Sequence, residues 1–379
     1  MSGLPPLRVL HIAPSFARRD GGPSEVLRGL LPALEALDVR VSVVATDKGV
    51  DESDADFSAA HDVRVAAARF PLSWSYAPGV RRLIRDAMRY ADVVHVHSIH
   101  THTTTVALEE GIRSGVPVVL EPHGALDLYH LGQGGLKKRL YSRLIDRRGL
   151  RNLAGAIYSS PKELTEGSEF LRGVKSYEMP LGVDAALFSA TRQPSESPTV
   201  LFLGRVTEKK HLNYLLEAMA SSKVRALNPQ LIVAGPIDSG LQYSPSALVE
   251  SLGLSANVTF LGQVTPSERL TLLARANAFV LASDDESFGM AAAEALAAGC
   301  PTIVTPEVGI AVAAAEVGAL YLCASGAEDL DEVLSRVLAN REDAEATGRR
   351  GRAYAVQSFT WSAVAAAAVQ IYEDVRADH

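Results

Sequence analysis

AFVLASDDESFGMAAAEALAAGCPTIV, residues 278–304, reads as a strand, a turn, a helix and a second strand. Residues 278–281 and 302–304 are short runs rich in Val, Ile and Leu, too short for helices and without the alternation of a half-exposed strand, so both read as strands buried on two faces. Between them, Ser287-Phe288-Gly289 forms a turn into an alanine-rich helix that carries Glu294, with Glu286 just ahead of it. A strand that returns through a helix to a second strand implies a parallel sheet. The same alternation extends outward, with strands expected at 200–203, 231–234 and 258–261 and, in the first half, at 8–12, 41–45, 93–97, 116–120 and 155–158. Helical spacing of apolar residues marks 24–37 and 212–219.

The chain has 379 residues, more than one core usually holds, so two doubly wound α/β domains are expected. The polar, proline-containing stretch 189–198 separates a first domain, 1–188, from a second, 199–358. The segment 359–379 opens on Phe-Thr-Trp and reads as one amphipathic helix. In open parallel sheets ligands bind at the carboxyl ends of the strands, so the expected site is a cleft where two such sheets face each other.

Net charge is −7, which argues against nucleic acid as a partner, and it divides into +2 over residues 1–180 and −9 over the rest. Two cysteines, Cys300 and Cys323, form no framework, and the absence of a leader-like start or a long uncharged run leads us to expect a cytoplasmic protein.

Around the opening stretch the chemistry concentrates. Gly289 lets a ligand approach the backbone, and the amides and dipole at the helix start favour an anion such as a diphosphate. Glu294 sits on a small-residue helix face, where an idle carboxylate is costly. Upstream, VLFLGRVTEKKH (200–211) supplies a strand, the Gly204-Arg205 turn and Lys209-Lys210, cations suited to neutralising a leaving diphosphate without a metal. Asp284-Asp285 is not read as a metal-chelating pair.

In the first half, Gly21-Gly22-Pro23-Ser24 joins the first strand to a helix that Ser24 is placed to cap. His123 and Gly124 follow a strand, with Asp127 a weaker candidate nearby. LKKRLYSRLIDRRGLR (136–151) has seven basic residues and one acid on an amphipathic helix, which suits an anionic membrane surface or a pyrophosphate-linked lipid as much as a solvated face; Arg81, Arg82, Arg85 and Arg89 extend that surface. HVHSIHTH (95–102) clusters His95, His97, His100 and His102; His-x-His at a strand end suits zinc, and a metal-dependent hydrolase is the rival this raises.

Glu286-x7-Glu294, preceded by Gly204-Arg205 and Lys210, together with Gly21-Gly22-Pro23, Pro122-His123-Gly124 and the closing Phe359-Thr360-Trp361, resembles the family-4 retaining glycosyltransferases of the GT-B fold over nearly the whole chain. The resemblance implies two Rossmann-like domains facing across a cleft, with the last helix crossing back to the first. It implies transfer of a hexose-type sugar from a UDP- or GDP-linked donor to a hydroxyl of a glycan or lipid-linked acceptor in polysaccharide assembly, with no metal or other cofactor. It places Arg205 and Lys210 at the diphosphate, Glu286 at the sugar hydroxyls, Glu294 at the ribose, Val264 at the nucleobase, Phe288 and Gly289 beside the sugar, and His123 at the reacting sugar. Ser287 and His211 depart from the family's commoner residues. A nucleotide-sugar epimerase of the same fold is the near alternative.

Overall fold

The computed structural model describes residues 5–126 and 146–379, and the chain divides into two compact units, Met1–Gly182 with Trp361–His379, and Val183–Thr360. Among the described residues the first unit carries a seven-stranded sheet. Its strands are β1 (Arg8–Ile12), β2 (Arg40–Thr46), β3 (Val63–Ala66), β4 (Val93–His97), β5 (Val118–Glu121), β6 (Gly155–Tyr158) and β7 (Ser176–Glu178), in the order β3-β2-β1-β4-β5-β6-β7. The second carries β8 (Thr199–Leu203), β9 (Gln230–Ala234), β10 (Val258–Gly262), β11 (Ala278–Leu281), β12 (Thr302–Val304) and β13 (Tyr321–Leu322), in the order β10-β9-β8-β11-β12-β13. Every pairing is parallel. In each sheet the winding reverses beside the first strand, between β1 and β4 and between β8 and β11. Segments leaving those strands therefore diverge and leave a crevice at their carboxyl ends.

The buried centres of both sheets are the runs that the sequence marks, whereas β3, β7 and β13 are edge strands without an apolar run. β5 starts later than 116 because Pro117 has no N–H to give; its carbonyl accepts from Val94 at 2.9 Å, and the strand runs on to bury Glu121. The stretch 189–198 is not a free linker but part of the second unit. Gln193 and Ser195 amides bond the carbonyls of Ala274 and Arg275, and Arg192 binds three carbonyls at 273–276 and Glu345.

Ser24 does not cap the first helix. Gly22–Glu35 begins after Gly21 with no side-chain cap, and the buried Ser24 hydroxyl donates to Ser15 at 3.3 Å. The terminal segment is helical over Trp361–Ala377, set off by Phe359 and Thr360 from the preceding helix, Arg341–Ser358. Trp361–Ala377 packs in the first unit with Leu30, Leu34, Val93 and Val119. A Cβ on Gly29 would lie 1.8 Å from the Trp361 ring and one on Gly182 2.3 Å, so two bare backbones make the slot for that indole. No helix among the described residues is long and apolar enough to cross a membrane.

Candidate functional site

In the second unit the crevice beside β8 and β11 is a cavity of about 480 Å³. Its floor is Leu203, Ala234 and Leu281 at three strand ends, and its wall includes Gln263, Val264 and the first helical residues Met290 and Ala291. Two cation–carboxylate pairs face into it. Lys210 Nζ lies 3.2 Å from Glu286 Oε1, both side chains mostly buried, and Arg269 donates to Glu294 Oε1 at 2.6 Å. Burial pushes the Glu294 carboxyl up, and Arg269 only partly offsets it.

Local backbone explains how these side chains arrive. The 207–211 turn is tied to the segment after β11: the Asp284 amide and the Ser283 hydroxyl both donate to the Lys209 carbonyl at 2.9 Å, and His211 Nε2 bonds Asp284. Glu286 is fixed by its amide to Glu307 O at 3.2 Å and by Gly309 N donating back at 2.9 Å. Gly289, φ +99°, starts the Met290–Ala297 helix without a side-chain cap, leaving first-turn amides without intrahelical partners. A Cβ there would fall 2.4 Å from Val308. Gly235 is equally constrained: its Cβ would strike the Gly204 carbonyl at 2.0 Å, so the turns after β8 and β9 pass in contact beside the cavity.

Gly204, Lys210, Val264, Glu286 and Glu294, separate in sequence, thus meet at one cavity. Arg205 does not line it; its side chain is exposed, with Asp238 at 3.8 Å. Phe288 is buried against Phe359, ring centres 5.4 Å apart, so the side chain shapes the turn. Arg269 and Gly235 were not singled out by the sequence. Arg269 belongs to no motif in the helix Pro266–Arg275, and its pairing with Glu294 had no signal, although a buried carboxylate calls for some cation.

The first unit holds the other candidates. Gly21 and Gly22 form the uncapped start of Gly22–Glu35. His123 is not a surface residue: its side chain is 7% exposed and both ring nitrogens face inward, Nε2 to His97 Nδ1 at 3.0 Å and Nδ1 to Glu121 Oε1 at 3.4 Å. His95 and His97 are fully buried, so neither opens to solvent as a hydrolytic metal site would; His95 Nδ1 lies 2.8 Å from the Tyr372 hydroxyl, and its Nε2 lies 3.1 Å from Glu121. His11 joins them through Nδ1 to His97 Nε2 at 3.0 Å. Ligand-type atoms of His11, His95 and His97, and of His97, Glu121 and His123, lie within 4.8 Å of one another. Burial lowers His11 well below its ordinary value and His97 to about 4, and it lowers His123 against the pull of Glu121. Burial alone would raise Glu121, but the facing imidazoles hold it well below the usual carboxylate range. His102 stands apart, edge-on to the stacked rings of Trp74 and Tyr76 with centres 5.1 and 4.9 Å away. Arg81 and Arg85 do not present free charge, since both bind Glu110. Asp127 and residues 136–145 lie outside the described residues; of the basic segment, Arg147–Arg151 is helical.

Residues 184–354 match the family described as glycosyl transferases group 1, and residues 21–173 match the glycosyl transferase 4-like domain. The chain is 26% identical over 310 residues to the GDP-mannose:cellobiosyl-diphosphopolyprenol alpha-mannosyltransferase of Xanthomonas oryzae pv. oryzae, covering 79% of this chain and 78% of that one. It is 35% identical over 184 residues to the D-inositol 3-phosphate glycosyltransferase of Nocardia farcinica, 46% of this chain and 40% of that one. Among solved structures, sucrose-phosphate synthase from Thermosynechococcus elongatus superposes with a TM-score of 0.74 at 22% identity, covering 98% and 100% of the two chains. HepE of Anabaena in complex with UDP-glucose superposes at 0.69 with 19% identity, covering 98% and 100%. With both halves matched in order and the GT-B fold shared end to end, the chain belongs to the group 1 glycosyltransferases, its first half of the 4-like type.

Proposed function

We propose that the cavity of the second unit binds a nucleotide-diphosphate hexose, UDP- or GDP-linked, and that the chain transfers the hexose with retention to a hydroxyl of a glycan or lipid-linked acceptor in polysaccharide assembly. The observation that carries this is the convergence of Lys210–Glu286 and Arg269–Glu294 on one cavity at an uncapped helix start. A diphosphate and two hydroxyl-bearing rings need that mixture of donors and acceptors. Lys210, Arg205 and the amides after Gly289 take the diphosphate, Arg205 by swinging from Asp238; Glu286 takes the sugar hydroxyls and Glu294 the ribose, with Gln263 and Val264 at the base. Gly204 and Gly289 keep the backbone close to the ligand, and Phe288 holds the turn. On the first unit, Gly21 and Gly22 serve the acceptor side, and His123 bonds a hydroxyl of the transferred sugar. The names of the relatives support the donor class, GDP-mannose in one and UDP-glucose in another. The diphosphopolyprenol in the first name supports a lipid-linked acceptor, and with it peripheral contact of 136–151 with an anionic membrane on the cytoplasmic face.

The bond from the anomeric carbon to the β-phosphate oxygen breaks as the acceptor oxygen bonds the same face, and the hydroxyl proton leaves with the diphosphate. Charge on the leaving group is met by Lys210 and the amides already in place, joined by Arg205 once it has swung in, so no metal is required. The test is turnover of UDP- and GDP-hexoses with lipid-linked or glycan acceptors. Lys210→Ala and Glu286→Gln should each lower kcat by about a hundredfold or more with the far-ultraviolet circular dichroism unchanged, the loss expected when one preorganised charge group is removed. Product of inverted configuration, wild-type turnover in either variant, or loss of activity with chelator would overturn the corresponding part.

A further inference from the structure

Apart from His123 at its outer end, the transfer chemistry makes no use of one buried cluster in the first unit, formed by His11, His95, His97, Glu121 and Tyr372. A metal ion and a chain of hydrogen bonds are the two ways to fill such a cluster, and ring geometry decides between them. The nitrogen gaps His11–His97 and His97–His123 are both 3.0 Å, and the ring centres are 5.3 Å apart in both pairs, with interplanar angles of 18° and 13°. The centre distance exceeds the gap by two ring radii, so facing nitrogens point at each other along one line. That is the arrangement of N–H···N bonds. Imidazoles sharing a zinc ion approach it at a tetrahedral angle, with their nitrogens aimed at the ion instead of at each other.

Each such bond needs one proton, and Glu121 decides which ring supplies it. Its Oε2 lies 3.1 Å from His95 Nε2 and 3.4 Å from His97 Nδ1, and its Oε1 lies 3.4 Å from His123 Nδ1. A buried anion repels lone pairs and attracts N–H dipoles, so all three nitrogens carry hydrogen. The rest follows. His97 Nδ1–H donates to His123 Nε2, His97 Nε2 accepts from His11 Nδ1–H, and His95 Nδ1 accepts from the Tyr372 hydroxyl. We infer that Glu121 is a positioning residue for His123: directly, and through the His97–His11 line, it fixes His123 as the Nδ1–H tautomer. Glu163, whose Oε1 accepts from the Gly124 amide at 2.5 Å, is the other carboxylate beside His123. If His123 serves the transferred sugar as proposed above, the atom it offers is Nε2, an acceptor, so a sugar hydroxyl replaces His97 as the donor.

Long-range 1H–15N spectra of histidine-labelled protein at pH 7.5 read the tautomers directly. We expect protonated Nδ1 with bare Nε2 for His11, His97 and His123, and the reverse for His95. His123 found as Nε2–H or as imidazolium, or nitrogen shifts of metal-bound imidazoles, would overturn the inference from the wild-type spectrum alone. Glu121→Gln should shift His123 toward a tautomer mixture and lower kcat by about tenfold to a hundredfold while leaving the donor KM within about twofold, the size of effect seen when the carboxylate that orients a metal-bound histidine is lost. A Gln variant with wild-type tautomers also overturns it. Shifted tautomers with unchanged turnover leave the positioning intact and remove His123 from the sugar.

Discussion

Glu294 is 7% exposed, and its one charged partner among the described residues is Arg269 at 2.6 Å. Removing one member of such a pair strands the other, so Arg269→Ala should cost about 1–3 kcal/mol in denaturant unfolding, at the lower end because Arg269 is partly exposed. Arg269→Ala with Glu294→Gln should regain part of that loss, since a neutral amide needs no cation; a double variant less stable than the single would refute the pairing. At Gly289 the demand is steric. An alanine there combines φ +99° with a 2.4 Å approach to Val308, and about 2–3 kcal/mol of lost stability is expected from the same measurement. The sequence shows Glu286, Glu294, Lys210 and Gly289 because each belongs to a local pattern. It hides Arg269 and Glu121, whose roles come from the fold: Glu121 falls one residue past the strand expected at 116–120, and only the fold sets it against His95, His97 and His123.

At the scale of elements, what is legible follows burial. β1, β4, β6, β11 and β12 are buried on both faces apart from Arg8, and their ends match the sequence reading residue for residue. β3, β7 and β13 escape it because a two- to four-residue edge strand is held by backbone bonds to one neighbour, and composition does not record those. The terminal helix was legible as a helix, but not its seat on Gly29. That seat makes a prediction. Trp361→Ala should destabilise the first unit by about 2–4 kcal/mol, and Gly29→Val should cost at least as much, because the new side chain occupies the indole's place. Combining the two should be less harmful than their sum. Strict additivity in unfolding experiments would show that they do not share one slot.

Across the whole molecule the two units answer acid with opposite sign. His97 titrates near 4 in the fold and near 6.5 unfolded, and His11 and His123 are lowered too. At these three histidines the unfolded chain binds more protons below pH 6.5, so they cost the first unit stability as pH falls from about 6.5 toward 4, by about 1.4 kcal/mol for each unit of pKa shift in each histidine, a loss partly offset by the Asp146 carboxyl, which burial raises to about 6. The lowered carboxyl of Glu121 adds to this loss below its unfolded value. In the second unit the raised carboxyl of Glu294 works the other way, binding a proton more readily folded than unfolded. Calorimetry from pH 8 to 5 should show one transition moving down steeply while the other holds. His97→Asn should flatten the moving one; an unchanged slope would exclude the histidine cluster as its source.

The slot for Trp361 also bears on how the protein is made. Residues 361–377 leave the ribosome after the whole of Val183–Thr360, yet they complete the core that begins at β1. Until then Leu30, Leu34, Val93 and Val119 lack their cover, and Tyr372 is missing from His95. The nascent first unit must wait, half-closed and open to chaperones, while the second is synthesised and has time to fold ahead of it.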